Sequence, residues 1–105
     1  MSKTRKVNNV FEDLGLPDAD DLLARAELTR QIYNAIKDRE LSQAKAAEIL
    51  GLKQPDVSLL MRGKFTRFST DRLVQLLVRL GRHIEIVVRN PRSSKQRGRI
   101  TVVAA

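Results

Sequence analysis

The chain has 105 residues and no cysteine, enough for one small domain and incompatible with a disulfide scaffold or thiolate chemistry. Its 42% apolar content, with three Phe, one Tyr and no Trp, supports a modest core. Twenty Lys and Arg against twelve Asp and Glu leave a net charge of +8, which favours a polyanionic partner. A single histidine, His83, leaves catalytic triads and His/Cys metal sites without members, so no enzyme activity, metal or cofactor is expected.

No apolar run approaches the roughly 20 residues of a membrane helix, and Met1 to Asn9 lacks the apolar segment of a signal peptide, so the expected location is cytoplasmic. The charge is unevenly distributed. Acidic residues outnumber basic ones between 12 and 40, whereas residues 41–82 carry eight basic against three acidic residues.

In chain order, residues 1–17 read as an N-terminal arm, polar and basic at first, with Val10, Phe11, Leu14 and Leu16 as apolar anchors. A first helix is predicted from Asp18, as N-cap, to about Arg39. Asp20 and Asp21 lie in its first turn, where the helix dipole favours negative charge. Leu28, Ile32, Ala35 and Ile36 recur at i, i+4, i+7 and i+8, the spacing of one buried face. Ser42 caps a second helix over 43–50, stopped by Gly51. A third spans 54–61, with Pro55 in the first turn, where a missing N–H is tolerated, and Gly63 beyond its end. Ser69 or Thr70 caps a fourth that runs to about Leu80, with Leu73, Leu76, Leu77 and Leu80 on one stripe.

The composition then changes. "HIEIVVR" (83–89) and "RITVV" (99–103) are rich in β-branched residues and predict two strands, joined by the basic connector "NPRSSKQRG". The expected architecture is therefore mainly α: a four- to five-helix bundle over 18–82, followed by a β extension over 83–105 that could form a hairpin.

The stretch "LSQAKAAEILGLKQPDVSLLMRG" (41–63) has the requirements of a helix-turn-helix unit: two helices crossing steeply over a short turn. Ala46 and Ala47 are small enough for close approach, and Gly51 tolerates a left-handed turn. Leu50, Leu52, Val57 and Leu60 are placed to close a shared core. In such units the second helix enters the major groove with its N-terminal residues at the base edges, which selects Gln54, Pro55, Asp56, Ser58 and Leu59 as base-reading candidates. Gln54 has the amide for a bidentate contact with adenine; Asp56 could accept from cytosine N4, but a carboxylate so near phosphates is better suited to excluding wrong sequences or capping the helix. Gln43, Lys45, Lys53, Arg62, Lys64 and Arg67 are candidates for sequence-blind phosphate contacts.

"SQAKAAEILGLKQPDVSLLMRGK" resembles the lambda-repressor/Cro (XRE) family in its small alanines, turn glycine and closing Gly-Lys. Together with "NVFEDLGLPDADDLLARAEL", "FSTDRLVQLLVRLG" and "IEIVVR", it is similar to the HigA-like antitoxins of bacterial type II toxin–antitoxin modules. That resemblance implies a lambda-repressor-like fold, and a nucleoid-associated homodimeric repressor that binds the palindromic operator of its own operon. It also implies a RelE-like toxin partner, and carries the family's DNA contacts onto Gln43, Gln54, Pro55, Ser58, Arg62 and Lys64. The chain differs from the family pattern at Lys53, where Ser, Thr or Asn is usual, and at Pro55, where a polar side chain is usual.

Two surfaces are candidates for dimerisation: Val74 and Val78 on the last helix, and Ile84, Ile86, Val88, Ile100 and Val102 in the strands. The arm from Asn9 to Leu16 and the strand tail are candidate toxin contacts. Two other readings remain: a free-standing or phage-type XRE regulator without a toxin, and an RNA-binding protein using "RNPRSSKQRGR". The latter segment lacks the aromatics that stack on unpaired bases.

Overall fold

The structure, a computed structural model, describes residues 18–90 and 98–104. The expected arm (1–17) and nearly all of the connector (91–97) lie outside the described residues. Among the described residues the chain forms four helices: α1 (Asp18–Asp38), α2 (Gln43–Leu50), α3 (Gln54–Met61) and α4 (Thr70–Arg79). None is long and apolar enough to cross a membrane.

The helix ends follow from local chemistry. α1 begins at Asp18, so that residue lies inside the helix instead of capping it. The helix closes through Glu40, whose backbone is left-handed at φ 53°, while Glu40 N–H donates to the Lys37 carbonyl and Leu41 N–H to that of Ile36. The Ser42 hydroxyl accepts from Lys45 N–H at 3.0 Å and starts α2. Gly51 ends α2 at φ 68°, with its N–H directed to the carbonyls of Ala47 and Glu48. Of the two expected caps of α4, Ser69 takes the role, accepting from Arg72 N–H at 3.2 Å.

One core joins the four helices. Leu28, Ile32, Ala35 and Ile36 of α1 are buried, as their spacing predicts, and pack with Ala46, Ala47 and Leu50 of α2, Val57 and Leu60 of α3, and the Leu73/Leu76/Leu77/Leu80 stripe. Phe68, in the loop before α4, is also buried. Leu52, expected inside, is partly buried against the same cluster. α1 and α4 run in the same sense, because their ends are tied in matching order. Arg25 near the start of α1 donates to the Phe68 carbonyl, and Arg39 at its end donates to the Leu80 carbonyl, both at 3.2 Å. Arg82 pairs with Asp38 at 2.8 Å beside that second tie.

The expected C-terminal strands are not formed. Residues 83–90 and 98–104 contain no strand among the described residues. β-branched composition fits a pleated surface but does not supply the ladder partner a strand requires, and two strands alone are marginal in water. The segments attach to the bundle through side chains instead. Ile84 and Val102 pack against the core, and residues Arg99–Val102 face Asp20, Leu23 and Ala24 of α1 across a hollow of about 260 Å³.

Candidate nucleic-acid interface

The candidate interface lies on α2 and α3, which pack against each other as the sequence requires. Ala46 is fully buried and Ala47 nearly so, allowing the two backbones to approach. Gly51 provides the turn that an L-residue would strain, and a Cβ there would stand 3.4 Å from the Arg79 guanidinium. Val57 and Leu60 turn into the core.

With that face buried, helical periodicity fixes what α3 shows to solvent. Pro55, Ser58, Leu59 and Arg62, at i, i+3, i+4 and i+7, form the opposite ridge. Pro55 and Arg62 are exposed, and Ser58 and Leu59 are half-buried. Gln54, the first residue of α3, is exposed beside the ridge, and Gln43 is exposed at the start of α2. Lys53 precedes α3 with extended backbone and makes no capping bond with its side chain.

Asp56 lies on the other flank of α3 and is half-buried. Its carboxylate pairs with Arg67 at 3.5 Å, drawing the loop after α3 back towards the start of that helix. A contact from Asp56 to cytosine would therefore compete with Arg67. The other basic candidates divide in two. The Lys45 ammonium meets Glu48 at 3.3 Å on its own helix, an exposed pair of little energetic weight. The Arg62 Nε donates to the Ser58 carbonyl at 3.3 Å. Lys53 and Lys64 are exposed and pair with no carboxylate among the described residues.

The loop 62–69 is fixed at several points. Gly63 takes φ 76°, and Lys64 N–H then donates to the Leu59 carbonyl at 2.9 Å. Phe68 N–H donates to the Phe65 carbonyl at 2.9 Å, closing a turn around Thr66 and Arg67. From α1, Arg25 reaches the same turn, with its guanidinium 5.2 Å from the Phe65 ring centre. Sequence reasoning did not single out Arg25. The i, i+4 spacing of Asp21 and Arg25 was the available signal; the pair's contacts with the loop and α4 span more than forty residues and leave no pattern.

The expected dimerisation residues separate into two groups. Val74, Ile84 and Val102 are partly buried against their own core, and Ile100 is half-buried beside α1. Val78, Ile86 and Val88 face solvent at 55%, 84% and 90% exposure.

The profile described as Helix-turn-helix domain matches residues 10–89. A solved structure described as a candidate XRE family transcriptional regulator superposes with a TM-score of 0.77 at 42% sequence identity, covering 85% of this chain and 100% of that one. No curated protein matches the sequence. A domain match over most of the length and this identity to a relative spanned end to end place the chain in the XRE family of helix-turn-helix proteins.

Proposed function

We propose that this chain, a DNA-binding transcriptional regulator by family and not an enzyme, is the autorepressor and antitoxin of a type II toxin–antitoxin operon. It reads duplex DNA by laying α3 in the major groove. The observation that carries this reading is the solvent ridge Pro55–Ser58–Leu59–Arg62, with Gln54 beside it and exposed Lys53 and Lys64 flanking the helix. A groove-entering helix needs this arrangement: a narrow polar edge for bases between cations for phosphates. Gln54 and Ser58 supply hydrogen-bonding groups, Leu59 an apolar one suited to a thymine methyl, and Pro55 shapes the edge without donating. Gln43 joins the phosphate set directly, and Lys45, Arg62 and Arg67 complete it once the DNA displaces their intramolecular partners.

A single unit spans a few base pairs, so operator recognition calls for a homodimer with half-sites about 34 Å apart. The exposed Ile86 and Val88, with Val78 on α4, supply apolar surface for the second copy. The sequence likeness to HigA-like antitoxins supports a RelE-like toxin as the further partner. The relative matched over its full length is described only as a candidate transcriptional regulator, which favours a second reading: a free-standing or phage-type regulator without a toxin.

Selection of the full chain against a randomised duplex library tests the DNA reading. A palindromic motif with half-sites one helical turn apart is expected, and enrichment no better than random sequence would overturn it. Affinity purification from source cells separates the two readings. A small basic protein retained in constant stoichiometry makes the chain an antitoxin, and its repeated absence makes it a free-standing regulator.

A further inference from the structure

We propose that Asp21 and Arg25 are positioning residues for DNA binding, acting through the loop 62–69 to fix the backbone from which Lys64 and Arg67 reach phosphate. The inference rests on the reading of those two cations as phosphate contacts.

The geometry is a relay from α1 into the loop. Arg25 Nε donates to Asp21 Oδ2 at 3.1 Å, with Nη2 ion-paired to the same oxygen at 3.0 Å, while Nη1 donates to the Phe68 carbonyl at 3.2 Å. The flat guanidinium also stands 5.2 Å from the Phe65 ring centre. The other carboxylate oxygen, Asp21 Oδ1, accepts from the Thr70 hydroxyl at 3.2 Å, and Thr70 is buried at the start of α4. Asp21 and Arg25 therefore touch both ends of the Phe65–Phe68 turn and the helix that follows it. Thr66 and Arg67 are the two central residues of that turn, and Lys64 precedes it.

Two features separate this arrangement from ordinary packing. The Arg25 side chain is only 18% exposed, and each of its three nitrogens is engaged within the protein, so it is placed to orient the loop and not to reach a phosphate itself. An ion pair in such a site also adds little net stability compared with an apolar pair of the same volume. What a guanidinium adds is geometry, because its donors sit in a fixed planar fork that sets the direction of the Phe68 carbonyl. From the other side, Asp56 restrains Arg67 at 3.5 Å. A loop fixed at both ends loses less freedom on meeting a phosphate than a free one.

A double-mutant cycle on the full chain tests the inference, with operator affinity read well below the melting temperature of every variant. Arg25→Met is expected to weaken operator binding about tenfold in the wild-type background, and to have almost no effect when Lys64→Ala and Arg67→Ala are already present. It should also lower the salt slope of binding by about one in the wild type. Equal losses in both backgrounds would make Arg25 a general structural residue and overturn the proposal, as would an unchanged affinity. Thr70→Val, which keeps the shape and removes the bond to Asp21, gives a milder loss with the same dependence on Lys64 and Arg67, and serves if Arg25→Met does not fold. If the Lys64/Arg67 double variant alone loses nothing, the phosphate reading itself fails and the positioning role with it. If that variant loses affinity but the cycle is additive, only the positioning role fails.

Discussion

The α2–α3 hairpin and the segment after α4 are both rich in apolar residues, yet only one of them folds as its sequence suggests. In the hairpin, each local signal agrees with the tertiary contact that uses it. Ser42 caps, Ala46 admits a neighbouring backbone, Gly51 turns, Pro55 starts a helix, and Val57 and Leu60 close the core. Residues 83–89 carry a signal for a strand, with Ile84, Ile86, Val87 and Val88 interrupted only by Glu85. There Ile84 packs on the bundle while Ile86 and Val88 remain exposed. A helix satisfies its backbone within itself, whereas a strand depends on another strand. Local signals can therefore be sufficient for the hairpin and insufficient for the tail.

The largest expected effect is on stability, and it breaks the symmetry between the two regions. Leu60→Ala empties a fully packed site in α3 and should lower unfolding free energy by about 2–4 kcal/mol. Ile86→Ala, in the tail, should change it by less than about 0.5 kcal/mol. Urea unfolding midpoints at constant slope compare the two, and similar losses would mean that the tail is part of the cooperative core.

The next effect concerns function and stays on the hairpin. Gln54→Ala should weaken operator binding by about 1–3 kcal/mol and relax preference at one base pair, without changing stability. Equal loss on operator and random duplexes would remove the base-reading role. Lys64→Ala should weaken both duplexes alike and lower the salt slope by about one. Binding isotherms across a salt series distinguish these results.

A smaller effect is expected at the turn. Gly51→Ala places a Cβ on a backbone at φ 68°, a conformation that costs an L-residue about 1–2 kcal/mol. The Arg79 guanidinium, 3.4 Å from that Cβ, is the end of a flexible side chain and can move aside. Strain without collision should therefore lower the melting temperature and leave DNA affinity intact below it. A larger loss would show that the close packing at Gly51 matters more than its backbone.

How far the sequence is legible follows the same division. Caps, turn glycines and the i, i+3, i+4 stripes lie within a few residues of one another, so the limits of α2 and α3 and the buried faces of α1 and α4 are read directly. The Asp21–Thr70 bond spans 49 residues and has no repeating signature. Asp56 is a further case: its position in the first turn suggests a cap or a base contact, but Arg67 approaches across the loop and pairs with it. Position along the chain identifies the helix face, and only the packed loop shows which cation shares it.

The smallest stability effect gives the sharpest test of what the tail is for. Ile86→Lys with Val88→Lys replaces two solvent-facing side chains, so unfolding free energy at low protein concentration should stay within about 0.5 kcal/mol of the wild type. If these residues meet a second copy, the same variant places lysines from two subunits against each other in an apolar contact. Dimerisation and cooperative operator binding should then both disappear, while binding to an isolated half-site persists. Sedimentation equilibrium and half-site titrations separate the outcomes. A variant that remains dimeric moves the interface elsewhere, with Val78 on α4 the next surface to test. In the expected case, the β-branched run is a surface that acquires its partner between chains, which would account for a strong strand signal with no ladder among the described residues.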